Sequence, residues 1–252
     1  MKLFDDLIDA VDGELSRYSV REYRAEDCVP WKDEGENVLV LMRECAYELG
    51  GEGCGYAATL VTDDESRAPY SSVNVIGGDL GELTADAPFA RIAVVVTEKM
   101  DEDDDGAYKT VQNADFVKYR VHPKGYMLRI SSESGRERVR VARGAVKEGI
   151  NFAGVGRLYA DGYLAARRVK AVRLIFVTGE AARNRVFAEA AAKSAERTSA
   201  LNKIMKNMML DCSVCSLKPV CDEVEELREL HFHANESGGL KPRPDGNARV
   251  ER

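Results

Sequence analysis

The sequence predicts an α+β protein: an N-terminal antiparallel or mixed sheet, then a helical C-terminal half with a cysteine-rich loop near its end. Three observations carry this. Short apolar runs at 38–42, 45–49, 56–62, 73–76 and 90–97 follow one another across Gly and Asp turns, with no long helix between them. That order suits antiparallel or mixed pairing better than a doubly wound sheet. From Ser131 the apolar spacing becomes helical. Three of the six cysteines crowd into the segment Cys212 to Cys221, between two helical stretches. The organisation that follows is an acidic, sheet-rich half over 1–130, a helical half over 131–233, and a loose tail over 234–252.

Each element has a local reason. Leu3, Leu7, Val11 and Leu15 form one stripe, which predicts an amphipathic helix over 2–16. Val38-Leu39-Val40-Leu41-Met42 reads as a strand, and the run 45–49 ends in Gly50-Gly51-Glu52-Gly53. Helices are expected over 133–146 and 152–166. Ala171-Val172-Arg173-Leu174-Ile175-Phe176-Val177 is a buried strand, and Thr178 caps a helix running from about 181 to 207. Leu201, Ile204, Met205, Met208 and Met209 give that helix a stripe of core filler. A short helix over 222–231 has acids at its start. The tail is rich in Asn, Ser, Gly, Pro and Arg and has too little apolar surface to order itself. Gly77-Gly78-Asp79-Leu80-Gly81 lacks dinucleotide-fold spacing and reads as a turn.

A chain of 252 residues can bury a substantial core. No run of eighteen apolar residues exists, and acids occupy the start where a signal peptide needs basic residues, so no membrane span and a cytoplasmic location are expected. Thiols stay reduced there. The net charge is −7, yet the acid is concentrated early and ends in Asp101-Glu102-Asp103-Asp104-Asp105. Between Arg129 and Arg185 basic residues dominate, which points to an anionic ligand or an acidic partner, or else to a solvated basic face. Arg167, Arg168 and Arg173, at a helix–strand junction, are the candidate anion clamp. No nucleic-acid partner is expected.

The spacing C-x2-C-x5-C of Cys212, Cys215 and Cys221 places two thiolates on one turn and a third beyond Pro219. Soft thiolates at that density suit iron–sulfur iron or zinc, while a disulfide or unrelated thiols are the competing readings. A four-iron cluster or a tetrahedral zinc wants a fourth ligand. His231 is the nominated one, with His233 and the N-terminal cysteines Cys28, Cys45 and Cys54 as alternatives. No Ser/His/Asp or Cys/His arrangement stands out, so no catalytic residue is assigned.

Several segments resemble the central part of acetyl-CoA synthase, the beta subunit of the CO dehydrogenase/acetyl-CoA synthase complex. They are Tyr47-Glu48-Leu49-Gly50-Gly51 followed by Leu60-Val61, then Val73-Asn74-Val75-Ile76-Gly77-Gly78-Asp79, then Leu128-Arg129-Ile130-Ser131, and finally Cys212 and Cys215. The basic run, the strand over 171–177 and the long helix stand in the family's order, so the resemblance covers roughly 40 to 221. It implies a 4Fe-4S cluster opened by Cys212 and Cys215, with Cys221 as the third ligand at a shorter spacing. It also implies use of the basic run for a coenzyme A-like ligand, and a CO dehydrogenase or corrinoid protein as partner. The family's nickel-binding Cys-Gly-Cys and a fourth cluster cysteine have no counterpart after Cys221. The expected protein is therefore an iron–sulfur accessory or truncated beta-type subunit, without synthase activity of its own. The alternatives are a zinc-stapled scaffold and an enzyme or binder acting on a coenzyme A-like anion.

Overall fold

The structure is a computed structural model and describes residues 2–33, 43–51, 53–99, 105–130, 135–205, 218–224 and 227. In chain order the strands are β1 (Arg21–Arg24), β2 (Ala46–Leu49), β3 (Gly55–Thr62), β4 (Ser72–Ile76), β5 (Phe89–Thr97), β6 (Tyr126–Ile130), β7 (Glu137–Ala142) and β8 (Val169–Thr178). The helices are α1 (Asp5–Leu15), α2 (Asp105–Phe116), α3 (Arg143–Lys147), α4 (Phe152–Leu164), α5 (Arg185–Met205) and α6 (Lys218–Glu223). The class is α+β, as the sequence predicts.

A five-stranded sheet has the order β1-β4-β8-β5-β3, and a second, three-stranded sheet has the order β2-β7-β6. The large sheet is mixed. β4 runs parallel to β8 and β3 parallel to β5, while β8 pairs antiparallel with β5. The small sheet is antiparallel throughout. β5 is buried along its whole length and β8 from Ala171 onward apart from half-buried Arg173, which is why both read as near-continuous apolar runs. β8 is the central strand although it comes last, because the apolar run 171–177 can be satisfied only between two other strands.

Helix α4 covers one face of the large sheet. Its N-terminus is held twice: Asn151 Oδ1 accepts from Gly154 N at 2.7 Å, and Asp79 Oδ1 accepts from Phe152 N at 2.7 Å. Phe152 then stacks on both Phe89 and Phe176, with ring centroids 6.1 and 4.6 Å away, and these two are 6.4 Å apart. Gly156 lets the helix approach the sheet. A Cβ there would lie 2.6 Å from Val73 Cγ1. On the opposite face lies α1, whose Leu7, Ile8 and Val11 are buried. Arg197 of α5 donates to Leu3 O and to both carboxylate oxygens of Asp6, so α5 is tied to α1. The segment Gly77–Gly81 is a turn. Gly77 has φ +85°, its Cβ position is blocked by Thr178 O at 2.5 Å, and Asp79 with Glu82 closes a capping box around a short 3-10 turn.

Several segments differ from the sequence expectation. Thr178 makes no capping hydrogen bond; a 3-10 turn over Gly179–Arg183 follows it, and Asn184 Oδ1 accepts from Val186 N at 2.9 Å where α5 begins. The helix expected over 222–231 is α6, which starts earlier, at Lys218, and the sequence reading gives no strand for β1 or β6. The helix expected over 133–146 is instead β7 followed by the short α3. Glu137, Val139 and Val141 alternate with exposed or half-buried neighbours. A period of two therefore outweighs the helix propensity of Arg and Glu once β2 and β6 pair on either side. The stretch 105–116, for which the sequence reading gives no element, is the helix α2. The strand expected over 38–42 and the tail over 234–252 lie outside the described residues.

By chain contacts the protein divides into two units, Met1–Ser199 and Ala200–Arg252. The first holds both sheets and α1 to α4. In the second, Leu201, Ile204, Val224 and Leu227 are buried, and Lys218 pairs with Asp222 at 2.6 Å along α6. Among the described residues no helix is long and apolar enough to cross a membrane.

Candidate functional site

The cysteine segment reaches the described residues at one point. Cys221 lies on α6, half-buried and outside any disulfide. Cys212, Cys215 and His231 lie outside the described residues. Among the described residues no group of three or more His, Cys, Asp or Glu side chains is placed to hold a metal ion. Three thiols within one short segment match the soft-ligand requirement of iron–sulfur or zinc binding. Of the N-terminal cysteines, Cys28 is half-buried and its Sγ donates to Arg24 O at 3.2 Å. Burial pushes its thiol up, against the pull of Arg157. Cys45 is exposed, and Cys54 Sγ accepts from Arg183 at 3.2 Å.

The three candidate arginines occupy different positions. Arg167 and Arg168 sit in the turn between α4 and β8, and Arg168 has a left-handed φ of +72° with its carbonyl accepting from Glu98 N at 2.9 Å. Arg167 is exposed. Arg173 stands five residues further along the extended chain, a separation of about 16 Å, and its Nη2 donates to Asp12 Oδ1 on α1 at 2.5 Å. Asp12 and Asp9 also face Arg67 Nη1, at 3.6 and 2.6 Å. Arg173 therefore belongs to an ion-pair network that docks α1 on the sheet. It does not join Arg167 and Arg168 at one junction.

The most unusual polar arrangement was not anticipated from sequence. Arg91 is the third residue of β5, with Ala90 and Ile92 buried beside it, and is itself 0% exposed. Its Nε donates to Glu137 Oε1 at 2.8 Å and its Nη2 to Oε2 at 2.6 Å, a two-pronged pair with a carboxylate on β7 that is 3% exposed. Around it stand three buried tyrosines. The Arg91 guanidinium carbon lies 5.4 Å from the ring centroid of Tyr159 on α4. Tyr126 of β6 meets Tyr159 edge-on at 6.4 Å, and Tyr163 follows one turn along α4. Burial alone would lower the Arg91 pKa, but the charge and hydrogen bonds of Glu137 hold it well above its ordinary value. Burial, reinforced by Tyr159 and Glu137, pushes the Tyr126 hydroxyl well up, and burial likewise raises Tyr159 against the opposing charge of Arg91. The Tyr126 and Tyr159 phenols therefore stay protonated at physiological pH. Arg91 Nη1 and the hydroxyls of Tyr126, Tyr159 and Tyr163 are buried without a hydrogen-bond partner.

A signal for this cluster was present. An arginine inside Phe89-Ala90-Arg91-Ile92-Ala93-Val94-Val95-Val96 breaks an otherwise unbroken buried strand, and a buried charge requires a partner. The partner's identity was not readable, because Glu137 lies 46 positions away in a segment that reads as helix. No protein-family model and no curated protein matches this chain.

Proposed function

We propose that the chain is an iron–sulfur-binding accessory or beta-type subunit of a CO dehydrogenase/acetyl-CoA synthase-like system, working in the cytoplasm and docking a CO dehydrogenase- or corrinoid-type protein. The observation that carries the reading is the spacing of Cys212, Cys215 and Cys221 within one segment of the second unit. Two thiolates on a C-x2-C turn need little chain ordering to reach one metal, and Cys221 adds a third that is outside any disulfide. His231 is the fourth ligand in this reading. A bound cluster would supply electron transfer or a Lewis-acidic iron, and the chain's own part is to hold it through soft ligands.

Anaerobic purification with iron, sulfide and zinc analysis tests this. Iron and sulfide in stoichiometric amount, with the broad visible absorption of thiolate-bound iron, is the expected result. Stoichiometric zinc in a colourless sample would replace it with the zinc-stapled scaffold. A coenzyme A-like anion site on the basic run is a weaker reading, because Asp12 holds Arg173 and strand geometry separates it from Arg167 and Arg168.

A further inference from the structure

We propose that Arg91, Tyr126, Tyr159 and Tyr163 enclose a small cluster of ordered internal water that bridges the two sheets and α4. Four polar atoms of one packed constellation, Arg91 Nη1 and the three phenol oxygens, are buried and lack any partner in the protein. Buried polar groups of native proteins are nearly always partnered by protein or by ordered water, so an arginine nitrogen and three phenols left together call for an occupant. All four can donate, and the guanidinium nitrogen can only donate, so the occupant must accept hydrogen bonds.

Charge decides which acceptor it is. Arg91 and Glu137 already cancel each other through two short hydrogen bonds. An oxyanion would bring an uncompensated charge into a site with no access to solvent, which is costly. Water is neutral, accepts from the guanidinium, and both accepts from and donates to the phenols. A buried water makes about three hydrogen bonds, so four orphan atoms need more than one. The tyrosines come from β6 and α4, and the arginine from β5. The water thereby joins the small sheet, the large sheet and the covering helix around a polar patch in their buried interior.

The test compares Tyr126→Phe, Tyr159→Phe and Tyr163→Phe with the full wild-type chain by thermal melting, together with a high-resolution crystal structure of the wild type. If the hydroxyls hold water, each removal breaks a hydrogen bond, and Tm should fall by about 2–4 °C. Density for waters within about 2.6–3.2 Å of the phenols should then appear. If the site is dry, each Phe variant removes an unsatisfied hydroxyl, Tm should rise, and the proposal is overturned. A saturable rise in wild-type Tm with formate or nitrate, lost in the Phe variants, would also overturn it by assigning an oxyanion. Should a variant fail to fold, the wild-type density decides alone.

Discussion

Arg91 and Glu137 form a two-pronged ion pair at 2.8 and 2.6 Å that links β5 of the large sheet to β7 of the small one, with both side chains almost wholly buried. Its consequence for stability is asymmetric. The pair itself need contribute little net energy, because desolvation offsets attraction, but either charge alone is expensive to bury. Glu137→Gln keeps the shape and removes the charge, so it should cost about 3–5 kcal/mol in urea unfolding. The double change Arg91→Met with Glu137→Leu should recover most of that loss. A double variant as unstable as the single one would show that the pair acts through specific geometry and not through charge compensation.

The link between α1 and α5 should be visible in pH. Hydrogen bonds from Arg197, reinforced by its charge, hold the Asp6 carboxyl below the usual carboxylate range, while partial burial opposes. A folded pKa below the unfolded value means the stabilisation is present above about pH 4. It is lost as pH falls through the depressed folded value. Asp6 is 57% exposed, so screening keeps the effect small. Asp6→Asn should cost about 1 kcal/mol at pH 7, with the gap to wild type closing below about pH 4. A gap of constant size across that range would mean that the carboxylate charge is irrelevant.

Gly156→Ala sets helix propensity against packing. Alanine in a helix interior gains up to about 1 kcal/mol over glycine. The added Cβ would lie 2.6 and 2.7 Å from the two Val73 methyls and 3.2 Å from Phe176 Cε2, all in the core. Overpacking of this kind costs about 1–3 kcal/mol, so the clash should win and thermal melting should show net destabilisation. A more stable variant would mean that α4 can lift off β4 at little cost.

Metal retention should separate the cysteines. Cys212→Ser and Cys215→Ser should each abolish metal binding in anaerobically purified protein, and Cys28→Ser should leave it intact. Cys28 hydrogen-bonds to Arg24 O, and burial holds its thiol up, which disfavours the thiolate a metal needs. Equal loss in all three variants would make Cys28 a ligand.

Anion binding, if the basic run has any, should depend unequally on its arginines. Calorimetry with coenzyme A at low salt should show weakened binding in an Arg167→Gln, Arg168→Gln double variant and little change in Arg173→Gln. The latter should instead lose about 1 kcal/mol of stability, because its partner Asp12 is left without it. Loss of affinity in Arg173→Gln with unchanged stability would return that residue to the anion site.

Local order was open to reading from sequence alone. The stripe Leu7, Val11 and its neighbours specified α1, the apolar runs specified β3, β4, β5 and β8, and helical spacing from Phe152 specified α4, because each signal lies within a turn or a strand's length. The α+β class followed from their order. The density of thiols at Cys212, Cys215 and Cys221 is likewise a property of the sequence, whatever the chain around it does. Pairing across long separations was decided only in three dimensions. Glu137 reads as helix until β7 pairs with β2 and β6, and β8, late in the chain, becomes the centre of the large sheet because only there are both its edges satisfied. Arg173 reads as one of a basic trio until strand geometry carries it away from Arg168 and onto Asp12. Sequence periodicity reports which face a residue occupies, whereas the partner across that face depends on which distant segments the core brings together.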